Sequence, residues 1–329
     1  MADEESFIPS AGTDYPRDLS EFDQFFPDEI SCRRYLERVR WRSGFVCQAC
    51  GKGGTAWHAR RDVLLCPNCR HETRLTAGTV FEGARKPLKL WFLAIWELTS
   101  QKYGANALGL QRVLGLGSYV TAWAWLHKLR RAMVRPGRDR LSGIVEVDEC
   151  YLGGEEAGVK GRQTVSKAIV AVAVELKDAA IGRIRLRHVP DLRASSLQSF
   201  VTDVVEHGST VRTDGLLSYL GLQSLHFNHE VSVLSGSADP AHVQMPNVHR
   251  VAALLKRWIL GTFQGSVGKE HLPYYLDEFT FRFNRRTSKA RGMLFYRLVE
   301  QGCIVGHLSM RQLFKRTRPR RLPSVGGVK

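Results

Sequence analysis

Four cysteines in two short knuckles, Cys47-Gln-Ala-Cys50 and Cys66-Pro-Asn-Cys69, constrain this chain more than any other feature of it. Fifteen residues separate the knuckles, and each sits in a tight turn, with Gly51 after the first and Pro67-Asn68 inside the second. Each turn can therefore aim two sulfurs at one ion. The spacing is that of a four-thiolate zinc site. Such a site keeps no open coordination position, so the zinc folds the module and takes no part in chemistry. His58 and His71 lie nearby, but four sulfurs suffice, and both read as surface residues. Seven cysteines, an odd number, four of them in tight pairs, argue for metal and against a secreted disulfide framework. Cys32, Cys150 and Cys303 lack partners at ligand spacing and read as small buried apolar residues.

The knuckles lie in a Gly-rich stretch with short strand-like runs, residues 44–81, that follows a short helix in "EISCRRYLERVRW". Residues 87–134 read as three helices. Pro87 suits a first turn, and Leu90, Leu93, Ala94 and Leu98 form a stripe. "GANALGLQRVLGL" and "YVTAWAWLHKLRRAM", joined across Gly117-Ser118, fit a helix-turn-helix carrying Lys128, Arg130 and Arg131, or a plain helical bundle. Beyond a basic Pro/Gly linker come three strand-like runs, "GIVEVDECYLGG", "KAIVAVAVEL" and "GRIRLRHVP". A helix, the strand "STVRTDG", the helix-like "LLSYLGLQ", the strand-like "HFNHEVSVL" and a long helix follow. This order specifies a mixed α/β domain with a hairpin-built sheet.

Charge narrows the partner. The chain has 48 Lys and Arg against 32 Asp and Glu, a net of +16, and residues 1–30 hold nine acids against one Arg. The remainder therefore carries 47 basic and 23 acidic residues, a net of +24, which points first to a polyanion such as nucleic acid. No window approaches the roughly 18 apolar residues of a membrane span, and the acidic start does not read as a signal peptide, so a cytoplasmic protein is expected.

Two carboxylates stand out on the expected strands. In "IVEVDECYLGG" the alternation puts Val145 and Val147 on one face and Glu146 and Asp148 on the other. Asp214 ends the short strand "VRTD" before a glycine. If the two strand ends are adjacent in one sheet, Asp148 and Asp214 can share hard cations through oxygen and support phosphodiester chemistry. Singly, each also reads as a solvated strand-end charge or a turn residue.

In their order along the chain, "CQACG", "CPNCR", "VEVDECYLGG", "RTDGLLSY", "VHRVAALLKRWILGTFQGSV" and "HLPYYLDEFTFRFNRR" resemble the DDE-type insertion-sequence transposases with an N-terminal zinc ribbon, most of all the insertion-sequence group numbered fifteen ninety-five. The resemblance covers roughly residues 25–300. It implies an α/β, ribonuclease-H-like catalytic fold, metal-dependent cleavage at element ends and strand transfer of the 3′ hydroxyl into target DNA. It also implies double-stranded DNA as partner, self-association in an end-paired complex and a bacterial, nucleoid-associated setting. Its domains would be an acidic, flexible leader (1–26), helix and zinc ribbon (27–82), helical DNA-binding segment (83–136), catalytic domain (137–298) and basic tail (299–329).

By the resemblance, Asp148 and Asp214 are metal ligands for Mg²⁺ or Mn²⁺. The third position, usually Glu followed seven residues later by Lys, here holds His249 before Lys256. Imidazole suits Mn²⁺ better than Mg²⁺; His249 could instead contact phosphate or move a proton, and Asn247 is the second candidate ligand. Seven residues at 100° each return to within about 20° of the start, so His249 and Lys256 share one stripe. Val248, Val251, Leu255 and Trp258 form the neighbouring apolar face. Arg250 and Arg257 point in a third direction, and Arg282, Arg285 and Arg286 cluster downstream as further phosphate contacts. The rival reading is a repurposed DNA-binding protein that has lost catalysis with its third carboxylate.

Overall fold

The computed structural model describes residues 7–60, 63–135, 137–154, 167–178, 180–232, 244–265 and 267–314. They fall into two compact units, one of residues 1–136 with 288–329 and the other of residues 137–287. The last part of the basic tail, residues 315–329, lies outside the described residues.

In the first unit the acidic residues near the start serve as helix caps. Asp18 and Asp28 precede α1 (Leu19–Phe25) and α2 (Glu29–Arg40), and their carboxylates accept from the amides of Glu21 and Ser31 at 2.9 and 2.7 Å. Each cap satisfies an amide that a helix start leaves unpaired. From the sequence a flexible leader is expected over 1–26, whereas its described part is folded. Phe22 and Phe26, one turn apart, are wholly buried, and Tyr35 donates its hydroxyl to the Asp14 carbonyl at 2.7 Å. Two phenyl rings on one face give the segment enough apolar surface to hold it despite its charge.

The ribbon follows. β1 (Phe45–Val46) pairs antiparallel with β2 (Gly53–Gly54), and β3 (Trp57–Arg60), β4 (Val63–Leu65) and β5 (Glu72–Arg74) form a three-stranded antiparallel sheet. Three helices come next, α3 (Leu88–Ser100), α4 (Ala107–Val113) and α5 (Tyr119–Ala132). Pro87 cannot cap α3 with its side chain; Glu29 of α2 does so instead, accepting from the amides of Leu88 and Lys89 at 2.9 and 3.3 Å. Trp91 of α3 stacks on Trp125 of α5 with ring centroids 4.0 Å apart.

The second unit is a five-stranded sheet with helices on both faces. β6 (Ile144–Leu152), β7 (Ala168–Lys177) and β8 (Ala180–Val189) form an antiparallel meander. After α6 (Ala194–Val204), β9 (Thr210–Asp214) pairs parallel to β6. A 3₁₀ segment (Leu217–Leu225) leads to β10 (Asn228–Ser232), parallel to β9, which completes the order β10-β9-β6-β7-β8. The helix-like stretch "LLSYLGLQ" thus forms a 3₁₀ segment and not an α-helix. Gly221 weakens it, and bonds from Ser218 Oγ to Leu192 O and from Gln198 Nε2 to Ser218 O tie it to neighbouring elements.

Two long helices cover one face, α7 (Pro246–Phe263) and α8 (Leu272–Phe283). Val170, Val172, Val174 and Ile184 of the sheet pack there with Val248, Val251, Leu255 and Trp258 of α7 and with Leu276 and Phe279 of α8. On the opposite face Val145, Val147, Ala171 and Ala173 meet Leu197, Phe200 and Val201 of α6 and Tyr219 of the 3₁₀ segment. The sheet therefore hides both faces, as a fold with parallel crossovers must. The connectivity, three antiparallel strands and then two parallel ones added on the β6 side, is ribonuclease-H-like.

The chain then returns to the first unit with α9 (Arg291–Ile304) and α10 (Met310–Phe314). α9 runs across residue 298, where the sequence reading places the edge of the catalytic domain, because Phe295 belongs to an aromatic core. Its ring lies within 6.1 Å of Phe22, Phe26, Tyr35, Phe92 and Trp96, centroid to centroid. Phe295→Ala is expected to destabilise the first unit by about 3–5 kcal/mol. In denaturant unfolding of the intact chain, the transition of this unit should move to lower denaturant while that of the second unit stays in place.

Candidate active site and metal centres

The carboxylate site begins with strand register. β6 and β9 pair as Ile144 with Thr210, Val145 with Val211 and Glu146 with Arg212. Continued by two residues, the same register sets Asp148 abreast of Asp214. The ladder stops before that pair, so the two carboxylates stand where the parallel strands part, Asp214 at the C-terminal end of β9 and Asp148 midway along β6, which runs on beside β7. This is where open sheets with helical crossovers place their chemistry.

A third carboxylate joins them. Oxygens of Asp148, Glu149 and Asp214 lie within 4.8 Å of one another. Sequence reasoning passed over Glu149, because a period of two puts it on the face opposite Asp148. It reaches the pair where the ladder ends, and Tyr219 donates a hydrogen bond to its Oε2 at 3.1 Å. Tyr219 is wholly buried, and its phenol is held well above the usual value first by that burial and then by the charges of Glu149 and Asp148. It therefore stays protonated and remains a donor. Asp214 is 9% exposed, and its Oδ1 accepts from the Leu216 amide at 3.1 Å in the turn that follows the strand.

This donor set fits a hard divalent cation. Mg–O bonds of about 2.0–2.1 Å put two oxygens on one ion at most about 4.2 Å apart, a few tenths of an ångström tighter than the upper limit here. Three carboxylates gathered this closely repel one another, and a cation between them removes that cost.

α7 supplies the next wall. His249 Nε2 lies 3.8 Å from Asp148 Oδ2, too far for a direct hydrogen bond. That nitrogen is shielded from solvent and has no hydrogen-bond partner among the described residues, although the side chain as a whole is 34% exposed. Asn247 faces elsewhere, donating from Nδ2 to Glu146 Oε1 at 2.9 Å. Lys256 is exposed two turns on, near Cys150. Burial pushes the Cys150 thiol up to about 12, against the opposing pull of the Lys256 charge. Burial does the same to Cys32 and Cys303, each also at about 12, so none of the three offers a thiolate.

The ribbon cysteines form the second cluster. All four sulfurs lie within 4.8 Å of one another, with Cys47 and Cys69 at 3.6 Å and Cys50 and Cys66 at 3.8 Å. Tetrahedral zinc at about 2.3 Å from each sulfur requires separations of about 3.8 Å. Both knuckles turn alike: Gly51 N donates to Cys47 O and Arg70 N to Cys66 O, and both residues have positive φ, 69° and 61°. Gly51 takes that conformation freely; Arg70 takes it with its guanidinium 4.6 Å from the Trp57 ring centroid. Backbone hydrogen bonds from Cys69 and Asn68 pull the Cys66 thiol down, toward the thiolate that zinc requires. Among the described residues the apolar core here is Phe45, Leu64, Cys47 and Cys66, flanked by Trp41 and Ala56, which suggests a structural ion. His71 is exposed, and His58 pairs with Glu37 at 3.3 Å.

Among the expected DNA contacts, two need correction. Lys128 is 9% and Arg130 1% exposed, so neither can offer its charge to a phosphate as the helix stands. Burial pulls the Lys128 ammonium below its ordinary value, and its Nζ sits 5.9 Å from the Trp91 ring centroid. Arg130 bonds to His127 Nδ1 and the Ala105 carbonyl at 3.2 and 3.3 Å, joining α5 to the start of α4. Half-buried Arg131 reaches the His307 carbonyl at 3.5 Å. Arg250 and Arg257 are exposed on α7. Arg282 bonds to the fully buried Glu278 at 3.0 Å, while Arg285 and Arg286 fold over Phe281 and Phe283 at the end of α8.

A family model described as an ISXO2-like transposase domain matches residues 140–284, and one described as a transposase zinc-ribbon domain matches residues 27–75. The chain belongs to the insertion-sequence transposases of group fifteen ninety-five. This transposase is 29% identical over 283 residues to an uncharacterized protein in transposable element ISH50 of Halobacterium salinarum, a match spanning 78% of this chain and 91% of the relative. The crystal structure of the catalytic core domain of BIV integrase overlays 41% of this chain and 81% of its own, at 16% identity and a TM-score of 0.28. The family and the four-cysteine cluster suggest structural zinc, a DDE-type domain implies a divalent metal, and transposase relatives imply DNA binding. Among the described residues no helix is long and apolar enough to cross a membrane.

The purified transposase is expected to carry a single zinc ion, and Cys66→Ser should lose it. Metal analysis with amide exchange should then find β1–β5 unprotected while β6–β8 keep their protection. Arg130→Ala should lower stability by about 1–3 kcal/mol in thermal unfolding, because its buried partners are left unpaired.

Proposed function

We propose that this transposase cleaves DNA at insertion-sequence ends with a divalent metal and transfers the freed 3′ hydroxyl into target DNA. The observation that carries this reading is the convergence of Asp148, Glu149 and Asp214 where β6 and β9 part. Asp148 and Asp214 would hold the cation from one face of the sheet. Glu149, oriented by Tyr219, adds a carboxylate from the other. A bound divalent cation, magnesium or manganese, would supply activation of the attacking oxygen and stabilisation of the leaving one. His249 stands 3.8 Å from Asp148, and among the described residues its Nε2 has no hydrogen-bond partner, so it is suited to take a phosphate oxygen, a proton or the ion itself. Lys256, on the same stripe of α7, positions phosphate as a point charge.

DNA contacts divide between the units. On α7, Arg250 and Arg257 offer exposed charge for phosphate. In the helix-turn-helix reading of α4 and α5, the N-terminal turn of the second helix reads bases, and there Tyr119 and Val120 are exposed. Pairing two ends calls for at least two protomers on DNA, and the setting is the cytoplasm, where bacterial DNA lies. The rival, a repurposed DNA-binding protein without catalysis, rested on a missing third carboxylate; Glu149 within the cluster weakens it.

Asp148→Ala and Asp214→Ala are each expected to lower end cleavage and strand transfer by at least about a hundredfold with Mg²⁺ or Mn²⁺. Affinity for end-containing DNA should change little, because phosphate contacts elsewhere supply most of it. Strand transfer that survives either substitution would sink the assignment. A wild-type chain that binds ends yet neither nicks nor joins them would instead support the rival.

A further inference from the structure

α7 begins with a problem of satisfaction. Its N-cap is Met245, whose side chain cannot accept a hydrogen bond, and its first residue is Pro246, which has no N–H. The amides of Asn247 and Val248 are left over, at a helix start packed against the sheet. One carboxylate takes both. Glu146 Oε2 accepts from Val248 N at 2.8 Å and from Asn247 N at 3.1 Å, while Oε1 accepts from Asn247 Nδ2 at 2.9 Å. Glu146 is 3% exposed and lies on β6, two residues before Asp148 and on the same face of the strand.

The strand and the helix are thus pinned at the point where the site is built. Along β6 the step from Glu146 to Asp148 is about 6.6 Å, and along α7 the residue after Val248 is His249. A slip of α7 by one residue would translate it about 1.5 Å and rotate it about 100°, carrying His249 off Asp148. Apolar packing opposes the rotation but fixes the position of α7 along its axis less sharply, since Val248, Val251 and Leu255 meet a sheet face of similar valines. Three directional bonds from a single carboxylate fix it.

We propose that Glu146 is a positioning residue, which holds the N-terminus of α7 in the register that sets His249 against Asp148 and so shapes the metal and phosphate site. This rests on the active-site reading above. Glu29 provides a comparison within the chain, because it caps α3 from α2 in the same way but in the other unit.

The test uses full-length Glu146→Ala, Glu146→Asp and Glu146→Gln, with Glu29→Ala as the remote-cap control and Asp148→Ala as the site control. Gln keeps an oxygen for both amides and can pair its own amide with a flipped Asn247, so it should behave nearly as wild type. Asp keeps the charge but is a methylene short, and it carries the test if the alanine variant does not fold. Ala and Asp should raise amide exchange at Asn247 and Val248 by roughly tenfold. They should also weaken Mn²⁺ binding in calorimetry and cut kcat for end cleavage by at least about tenfold with little change in KM, since misplacement by about 1 Å is costly at a reacting centre. Glu29→Ala should leave Mn²⁺ affinity unchanged.

Unaltered exchange at the two amides, or lost protection with Mn²⁺ affinity and kcat intact, would overturn the proposal, as would a Gln variant as impaired as Ala. Unchanged Mn²⁺ binding in Asp148→Ala would overturn the active-site reading instead; amide exchange would still report whether Glu146 holds the helix.

Discussion

The parallel pairing of β6 with β9 is the constraint on which the catalytic unit depends. Two strands joined only through a hairpin, a helix and 57 intervening residues, 153–209, meet in a register that brings Asp148 level with Asp214. The backbone ladder then ends, and oxygens of Asp148, Glu149 and Asp214 gather there within 4.8 Å of one another. The elements around the pair hold that arrangement in place. The valine-rich β7 buries both its faces, α6 and the 3₁₀ segment back one side, and α7 closes the other.

Carboxylates in this unit do different work according to what surrounds them. Glu146 is consumed by two helix amides and one side-chain amide, and Glu175 by Arg183 across the β7–β8 hairpin. Burial alone would raise Glu175, but Arg183 and nearby backbone amides hold it below the ordinary carboxylate range. Glu149 shares one oxygen with a tyrosine hydroxyl. Asp148 and Asp214 gather with Glu149, Asp214 taking the Leu216 amide and Asp148 lying 3.8 Å from the His249 imidazole nitrogen. In the first unit the same chemistry is purely architectural, with Asp18, Asp28 and Glu29 capping three helices.

What the sequence made legible were features whose signal is local or periodic. The two cysteine knuckles, the alternation in "IVEVDECYL" and the stripe Val248, Val251, Leu255, Trp258 each report a geometry within a few residues. The strand order from β6 to β10 along the chain followed from such runs. Features set by distant partners escaped. Glu149 joins the site through Tyr219, 70 residues on, and Glu146 meets α7 across 101 residues. Lys128 and Arg130 end a helix in a basic run that resembles a solvated face; the packing of Trp91 and the Ala105 carbonyl decides otherwise. Phe22 and Phe26 are hidden in an acidic segment whose charge masks the value of two rings spaced for one core.

The most direct measurement is the position of bound manganese in crystals of the full chain, located by its anomalous scattering. The account predicts an ion held by carboxylate oxygens of Asp148 and Asp214, with Glu149 and His249 beside it. Manganese bound elsewhere on the chain, with Asp148 and Asp214 still facing each other and no ion between them, would contradict it.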